Sequence, residues 1–327
     1  MKAIQSTVLA AGSTACSRGT TAAIKLSIML LAIWSPILHL QAQGNSPTVG
    51  ATNEVAALQA AADQGDAVAE YRLGRHYFAR TGSLPNYPKA IEYFQKAAAQ
   101  GNAEAEIMLG AAYGQGRGVP RNLANAVAWY RKAADQGNAL AEYSMGNFYS
   151  SGRGVTNDMA QAIQWWKKAA DQKQADAEAA LGELYLSPSP QHGNAYVNYS
   201  EAVQYLRRGA EHGSVAAMNN LGVACEGGYG VAADFKEAAK WYRMAAELGD
   251  PDGQGNLGMV YFMGKGVPID LVEAYKWFKL SAMGNGKFGN WGLAQYAEHP
   301  DFLTPDQIAT AEKWVRAFRP TSAAGNL

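Results

Sequence analysis

From residue 67 onward, apolar and polar positions alternate with a helical period, and the alternation itself recurs. In residues 103–138, Ala105, Leu109 and Tyr113 stand four apart, with Ala112 beside them; this is the spacing of one buried helix face. Ala126, Tyr130 and Ala133 then follow at i, i+4 and i+7, with Trp129 adding bulk alongside. Two helices are predicted, Ala103 to about Tyr113 and about Leu123 to Gln136. Asn122 is placed to cap the second, and Gly137 to close it in a left-handed conformation. The stretch between them, Gly114-Gln115-Gly116-Arg117-Gly118-Val119-Pro120, reads as a loop.

This two-helix phrase occurs six times. Leu73-Gly74 returns as Leu109-Gly110, Met145-Gly146, Leu181-Gly182, Leu221-Gly222 and Leu257-Gly258, at spacings of 36, 36, 36, 40 and 36. A period in the thirties with helical patterning inside marks an α-solenoid, in which stacked neighbours bury what one unit cannot. A glycine in mid-helix costs about 1 kcal/mol against alanine. Its return in every unit implies a neighbouring helix too close for a side chain. Small residues flank the large aromatic of each second helix: Ala90 and Ala97, Ala162 and Ala169, Ala202 and Gly209, Ala238 and Ala245, Ala274 and Ser281.

The six full units span 67–286. Before them, 54–66 matches only a second helix, and 287–320 reads as capping helices. Trp291-Gly292 begins a final half-unit. Thr304-Pro305-Asp306-Gln307 is a helix start with a capping threonine, a first-turn proline and a capping-box glutamine. Ile308, Ala311, Val315 and Phe318 make the apolar stripe of an end helix. Residues 321–327 are expected to be a flexible tail. Several units depart from the pattern. Gly82-Ser83-Leu84-Pro85 replaces the double-glycine loop in the first, and Lys173-Gln174 replaces Gly-Asn in the third. The fourth carries four extra residues within Ser187–Tyr196, and the fifth has Cys225 at the usual tyrosine.

The Leu-Gly pair, the tyrosine four residues after the leucine, the Gly-x-Gly-Val-Pro loop, the Ala-x-x-(Trp/Tyr)-(Tyr/Phe/Trp) helix and the Ala-Ala-x-x-Gly-Asn/Asp ending together resemble the Sel1-like repeat, a relative of the tetratricopeptide repeat. The resemblance covers 67–286. It implies an all-α fold, a right-handed α-solenoid of antiparallel helix pairs, with the first helix of each unit lining the concave face. Positions two before and two after the leucine, and the residue after the tyrosine, then face the groove. Those are Tyr71, Arg75 and Phe78; Ile107, Ala111 and Gly114; Tyr143, Asn147 and Ser150; Ala179, Glu183 and Leu186; Asn219, Val223 and Glu226; and Gly255, Met259 and Phe262. Tyr71, Arg75, Phe78, Ile107, Tyr143, Asn147, Glu183, Asn219 and Met259 are the expected partner contacts. With one cation among these positions, a basic clamp on a peptide carboxylate is not expected; an apolar or helical peptide is. By resemblance such proteins act as adaptors in envelope assembly, signalling or host contact.

Charge narrows the partners. The chain has 28 basic and 28 acidic residues, and past Ala42 the balance is 25 to 28. That is no basic footprint for nucleic acid. The first 42 residues hold Lys2, Arg18 and Lys25 and no acid, and Leu26 to Leu38 is an apolar run of 13. This is short of the roughly 20 residues a membrane span needs and suits a signal h-region cut after Ala42. The protein is therefore expected to be exported, periplasmic or secreted. The alternative is a membrane anchor at 24–40. Residues 43–53 form a polar linker, and past the leader Cys225 is the one thiol, so no internal disulfide is expected.

Candidate chemistry is sparse. Gly116-Arg117-Gly118, Gly152-Arg153-Gly154, Gly228-Tyr229-Gly230 and Gly264-Lys265-Gly266 lack the Gly-Lys-Ser/Thr ending of a phosphate loop and read as inter-helix turns. His76, His192, His212 and His299 have no zinc-like spacing. Cys225 replaces a packing residue and reads as a small buried hydrophobe. No catalytic residue, metal or cofactor is expected. The expected function is a monomeric, non-catalytic scaffold for a protein or peptide. Two rivals are a cell-wall glycan binder and a β-lactamase-like hydrolase. The second resembles repeats with paired cysteines, and those are missing here.

Overall fold

The computed structural model describes residues 49–79, 85–188 and 193–321, with side chains from residue 54. The leader 1–42, the linker up to 48, Gly82-Ser83-Leu84, residues 189–192 of the insertion (His192 included) and the tail from 322 lie outside the described residues.

Fifteen α-helices and no β-strand are found among the described residues. Helix α1 (Val49–Asp63) starts inside the stretch read as linker. Six pairs follow: α2 (Ala67–Phe78) with α3 (Tyr87–Ala99), α4 (Ala103–Gln115) with α5 (Leu123–Asp135), α6 (Ala139–Ser151) with α7 (Met159–Asp171), α8 (Ala175–Leu186) with α9 (Tyr199–Glu211), α10 (Val215–Gly227) with α11 (Phe235–Glu247), and α12 (Pro251–Met263) with α13 (Leu271–Met283). Helices α14 (Gly289–Glu298) and α15 (Pro305–Ala317) end the chain. The two helices of every pair pack on each other. This is an α-solenoid architecture, with one repeat per helix pair.

The helix boundaries follow from capping. Asn102, Asn122, Asn138, Asp158, Asn198 and Asp234 are N-caps whose side chains accept backbone N–H groups of the first turn. The turn that closes each second helix needs one left-handed residue. Gly101, Gly137, Gly213 and Gly249 supply it, with φ between 81° and 93°. In the third repeat Lys173 takes that conformation at φ 62°, and in the sixth Asn285 does so at φ 60°. The final glycine of that repeat's Gly284-Asn285 is thus one position early.

The chain divides into two compact units at Gln172/Lys173. In the N-terminal unit, α1 covers the first repeat: Ala62 and partly buried Leu58 pack with Leu73 and Tyr93. Phe78, Phe94 and Leu109 then lead into a cluster of Tyr130, Met145, Phe148 and Trp165. In the C-terminal unit the end is closed by aromatic residues, with Phe262, Phe278, Tyr296 and Phe302 packed with Leu303 and Ala311. Thr304 and Gln307 form a reciprocal capping box at the start of α15, and α15 lies on α13.

The mid-helix glycines have the steric cause that their recurrence implies. A Cβ on Gly222 would stand 2.6 Å from the Tyr242 ring, and one on Gly182 2.6 Å from the Leu206 side chain. The obstacle is the large side chain of the second helix in the same repeat, one per repeat.

Candidate partner-binding face

First helices are held at their ends by groups that recur along the chain, a buried carboxylate in the first four repeats and a Gly-x-Gly turn in the second, third, fifth and sixth. The carboxylate stands in the N-terminal turn. Gln100 Nε2 donates to Glu70 Oε2 at 2.8 Å, Gln136 to Glu106 at 2.7 Å, and Gln172 to Glu142 at 2.7 Å. The glutamine comes from the end of the paired second helix, so the contact ties the pair together. The acid also sits in the favourable field of its own helix start. Burial raises the carboxyl pKa of Glu106 and of Glu142, against the lowering effect of the glutamine bond and of Lys132 and Lys168. In the fourth repeat the device becomes ionic: Glu178, fully buried, meets His212 Nδ1 at 2.6 Å and Arg208 Nη2 at 2.9 Å. Met218 and Gln254 replace the acid in the last two repeats. Glu70, Glu106, Glu142 and Glu178 are thus buried helix-end acids, 0–5% exposed, unlike the exposed N-cap Asp66.

At the other end lies the Gly-x-Gly turn. Gly116 caps α4 in the left-handed conformation, and Gly118, at φ 77°, approaches the preceding repeat so closely that a Cβ would stand 2.8 Å from that of Tyr87. Gly154 meets Leu123, Gly230 meets Tyr199 and Gly266 meets Phe235 in the same register, each against the first residue of the previous second helix. The turn is therefore also a joint between repeats, and its middle residue reaches backward. The Arg117 guanidinium lies 5.8 Å from the Phe78 ring centroid. Arg153 shares a shallow pocket with Ala111, Gly114, Tyr130 and Phe148. Tyr229 stacks on Tyr199 at 5.1 Å, and Lys265 Nζ pairs with Glu226 Oε1 at 3.2 Å.

The expected contact residues divide by burial. First helices α2, α4, α6, α10 and α12 each pack between the second helix of their own repeat and the helix before it, which narrows the strip open to solvent. Phe78, Ile107, Tyr143 and Asn147 are buried, and as surface contacts they are corrected to a supporting layer. Phe78 packs at 5.1 Å from Tyr87 and 5.9 Å from Phe94, and Ile107 joins the Tyr130 and Phe148 cluster. Asn147, 4% exposed, turns its Oδ1 inward to accept from Trp166 Nε1 at 3.0 Å. Ala111, Gly114, Ser150, Ala179, Leu186, Gly255 and Phe262 are buried as well.

Tyr71, Arg75, Glu183, Asn219 and Met259 remain partly open. The Arg75 guanidinium lies 5.8 Å from the Tyr71 ring centroid. Burial raises the Tyr71 pKa, Arg75 opposes this, and the Glu104 charge adds to it. In the C-terminal unit Asn256 Nδ2 donates to Asn219 Oδ1 at 2.8 Å, which joins two consecutive first helices. Arg117 and Arg153 were not among the expected contacts. Their signal in the sequence is the basic middle residue of the Gly-x-Gly turn, but the reach into the previous repeat is visible only in three dimensions.

Among the described residues no group of three His, Cys, Asp or Glu side chains could hold a metal ion. None of the described helices is long and apolar enough to cross a membrane. Cys225 is buried at 4% exposure, and desolvation raises its thiol pKa, with Glu237 adding to the rise and Arg207 opposing it. A protonated, enclosed thiol is a packing group rather than a nucleophile.

Known proteins match this architecture. The model of the Sel1 repeat matches residues 67–102, 103–138, 139–173, 175–214, 215–250 and 251–286. A Sel1 repeat protein from Oxalobacter formigenes is similar in structure at 31% identity over 72% of this chain and 92% of its own, with a TM-score of 0.60. The protective antigen c5321 of uropathogenic Escherichia coli aligns at 27% identity over 81% of this chain and 71% of its own, with a TM-score of 0.36. Immunity protein Pa5087 from Pseudomonas aeruginosa aligns at 21% identity over 66% and 81%, with a TM-score of 0.43. At that overlap neither of these two bears on function. No curated protein matches the chain. Sel1 repeats commonly bind protein partners, and proteins built of them are typically non-catalytic. By its six tandem units, the chain belongs to the Sel1 repeat family.

Proposed function

We propose that the chain is a monomeric, non-catalytic scaffold that works in the cell envelope or outside the cytoplasm and holds a protein or peptide on the face made by its first helices. The observation that carries this reading is the layered build of that face. In the N-terminal unit partly open Tyr71 and Arg75 share the first helices with buried Phe78, Ile107, Tyr143 and Asn147; in the C-terminal unit partly open Glu183, Asn219 and Met259 share them with buried Ala179, Leu186 and Phe262. Side chains held by packing underneath lose little entropy on binding. The leader's composition supports export; residues 24–40 would be the membrane contact if it is retained.

The test is crosslinking in cells that express the full chain, followed by fractionation. The reading expects the chain in the envelope or outside the cytoplasm. It also expects a defined protein crosslinked to the wild type and lost when Tyr71 and Arg75, or Asn219 and Met259, are changed to alanine. A cytoplasmic chain would refute the location. A partner held equally by all variants would refute the face.

A further inference from the structure

We propose that the first-helix face of the N-terminal unit recognises an acidic peptide segment, with Arg75, Arg117 and Arg153 as the cations that pair with its carboxylates. This deepens the scaffold reading and rests on it.

Three observations carry the inference. The first is repetition: Ala111 and Gly114 are the second-repeat counterparts of Arg75 and Phe78. Arg153, in the pocket with Ala111 and Gly114, therefore stands to the second repeat as Arg117, over Phe78, stands to the first. In two consecutive repeats the middle arginine of the turn stands against apolar residues of the repeat before it. The second is the missing counter-charge. The ion pairs among the described residues include none of these three arginines. The equivalent Lys265 in the C-terminal unit is already paired with Glu226 at 3.2 Å. The third is charge distribution: residues 49–172 hold 12 basic and 11 acidic residues, seven of the basic ones arginine, whereas 173–327 hold 13 basic and 17 acidic.

All three arginines are partly buried as residues, and Arg75 and Arg117 each lie within 5.8 Å of a ring centroid. A guanidinium held against a ring still has N–H groups to offer a carboxylate. Partial desolvation strengthens the charge-assisted bond formed there. A basic clamp, not expected from first-helix positions alone, is supplied mainly by the turns.

The experiment is a selection of short random peptides displayed against the immobilised full chain, with the selected peptides then titrated by fluorescence anisotropy at low and high salt. The expected result is an excess of Asp and Glu in the selected set and affinity that falls with salt. About tenfold weaker binding or more is expected to Arg75→Gln/Arg117→Gln/Arg153→Gln, with thermal melting confirming that the variant is folded. An Arg117→Glu/Arg153→Glu variant should instead prefer lysine-bearing counterparts of the same peptides. Peptides without acidic excess, or binding unchanged by the arginine substitutions, overturn the inference. Single-stranded DNA binding more tightly than the acidic peptides overturns it too. Peptides displaced only by Asn219→Ala and Met259→Ala also overturn it while leaving the scaffold reading intact. An empty selection sinks it, and together with no crosslinked partner sinks the scaffold reading as well.

Discussion

Gly110 lies against the Tyr130 ring so closely that a Cβ on the glycine would stand 2.7 Å from Cδ2. Alanine there gains about 1 kcal/mol of helix propensity, but the ring is enclosed and has nowhere to move. Overpacking of this kind costs about 1–3 kcal/mol and occasionally more. Gly110→Ala is expected to destabilise the chain by about 1–2 kcal/mol, read as a lower urea midpoint. A midpoint at or above wild type would refute the steric account of the repeated glycine.

Lys173 holds a left-handed backbone, φ 62°, where four other repeats have glycine. Its side chain is exposed, so little is lost by removing it. Lys173→Gly is expected to stabilise by about 0.5–1 kcal/mol, because relief of backbone strain exceeds the added freedom of the unfolded chain. The same urea titration checks it; a destabilised variant would contradict the expectation.

The buried acids should differ in sensitivity. Glu142 meets a neutral glutamine, and Glu142→Gln keeps both size and hydrogen bonding, so a change under about 1 kcal/mol is expected. Glu178 answers two basic groups, Arg208 and His212. Glu178→Ala leaves a cavity and strands that charge, at a cost of about 2–4 kcal/mol. Equal midpoints for the two variants would show that the fourth repeat's ionic cluster adds nothing.

Burial pushes the Asp250 carboxyl up to about 6 from its usual 3.8, although its bond from the Gly253 N–H opposes the shift. Between those values the folded chain holds more proton than the unfolded one. This group's contribution to stability is therefore greatest below the window and is lost as pH rises through about 6. Asp250→Asn keeps a capping oxygen. It should match wild type near the acid end and exceed it by about 1–3 kcal/mol above pH 7. Urea midpoints of both proteins across that range test the sign, and a gap that shrinks toward neutral pH would refute it.

The repeat, the helix pairs and their turns were legible because they are local: Leu109-Gly110, Asn122 and Gly137 each act through the nearest turns of helix. The face was legible only in part. Counting two positions either side of a leucine names candidate groove positions, but not how far the side chains of the paired helix reach around to them. Thus Asn147 reads as groove-lining until Trp166, from the next helix, claims its amide oxygen. The Glu106 and Gln136 clasp joins residues 30 apart. A glutamate in a helix's first turn looks solvated until its partner is in place. The recurrence of Glu70, Glu106, Glu142 and Glu178 with Gln100, Gln136, Gln172 and His212 was a readable signal. Nothing comparable in the chain announces that Arg117 crosses to Phe78.

The central claim is that partners are held on the first helices, with the basic turns of the N-terminal unit at their edge. Hydrogen exchange of the full chain, free and bound to a crosslinked partner or a selected peptide, tests it most directly. The account predicts slowed exchange in 71–79, 111–118 and 147–154, with the second helices 87–99 and 123–135 unchanged. Protection confined to those second helices, or to the C-terminal unit alone, would contradict it.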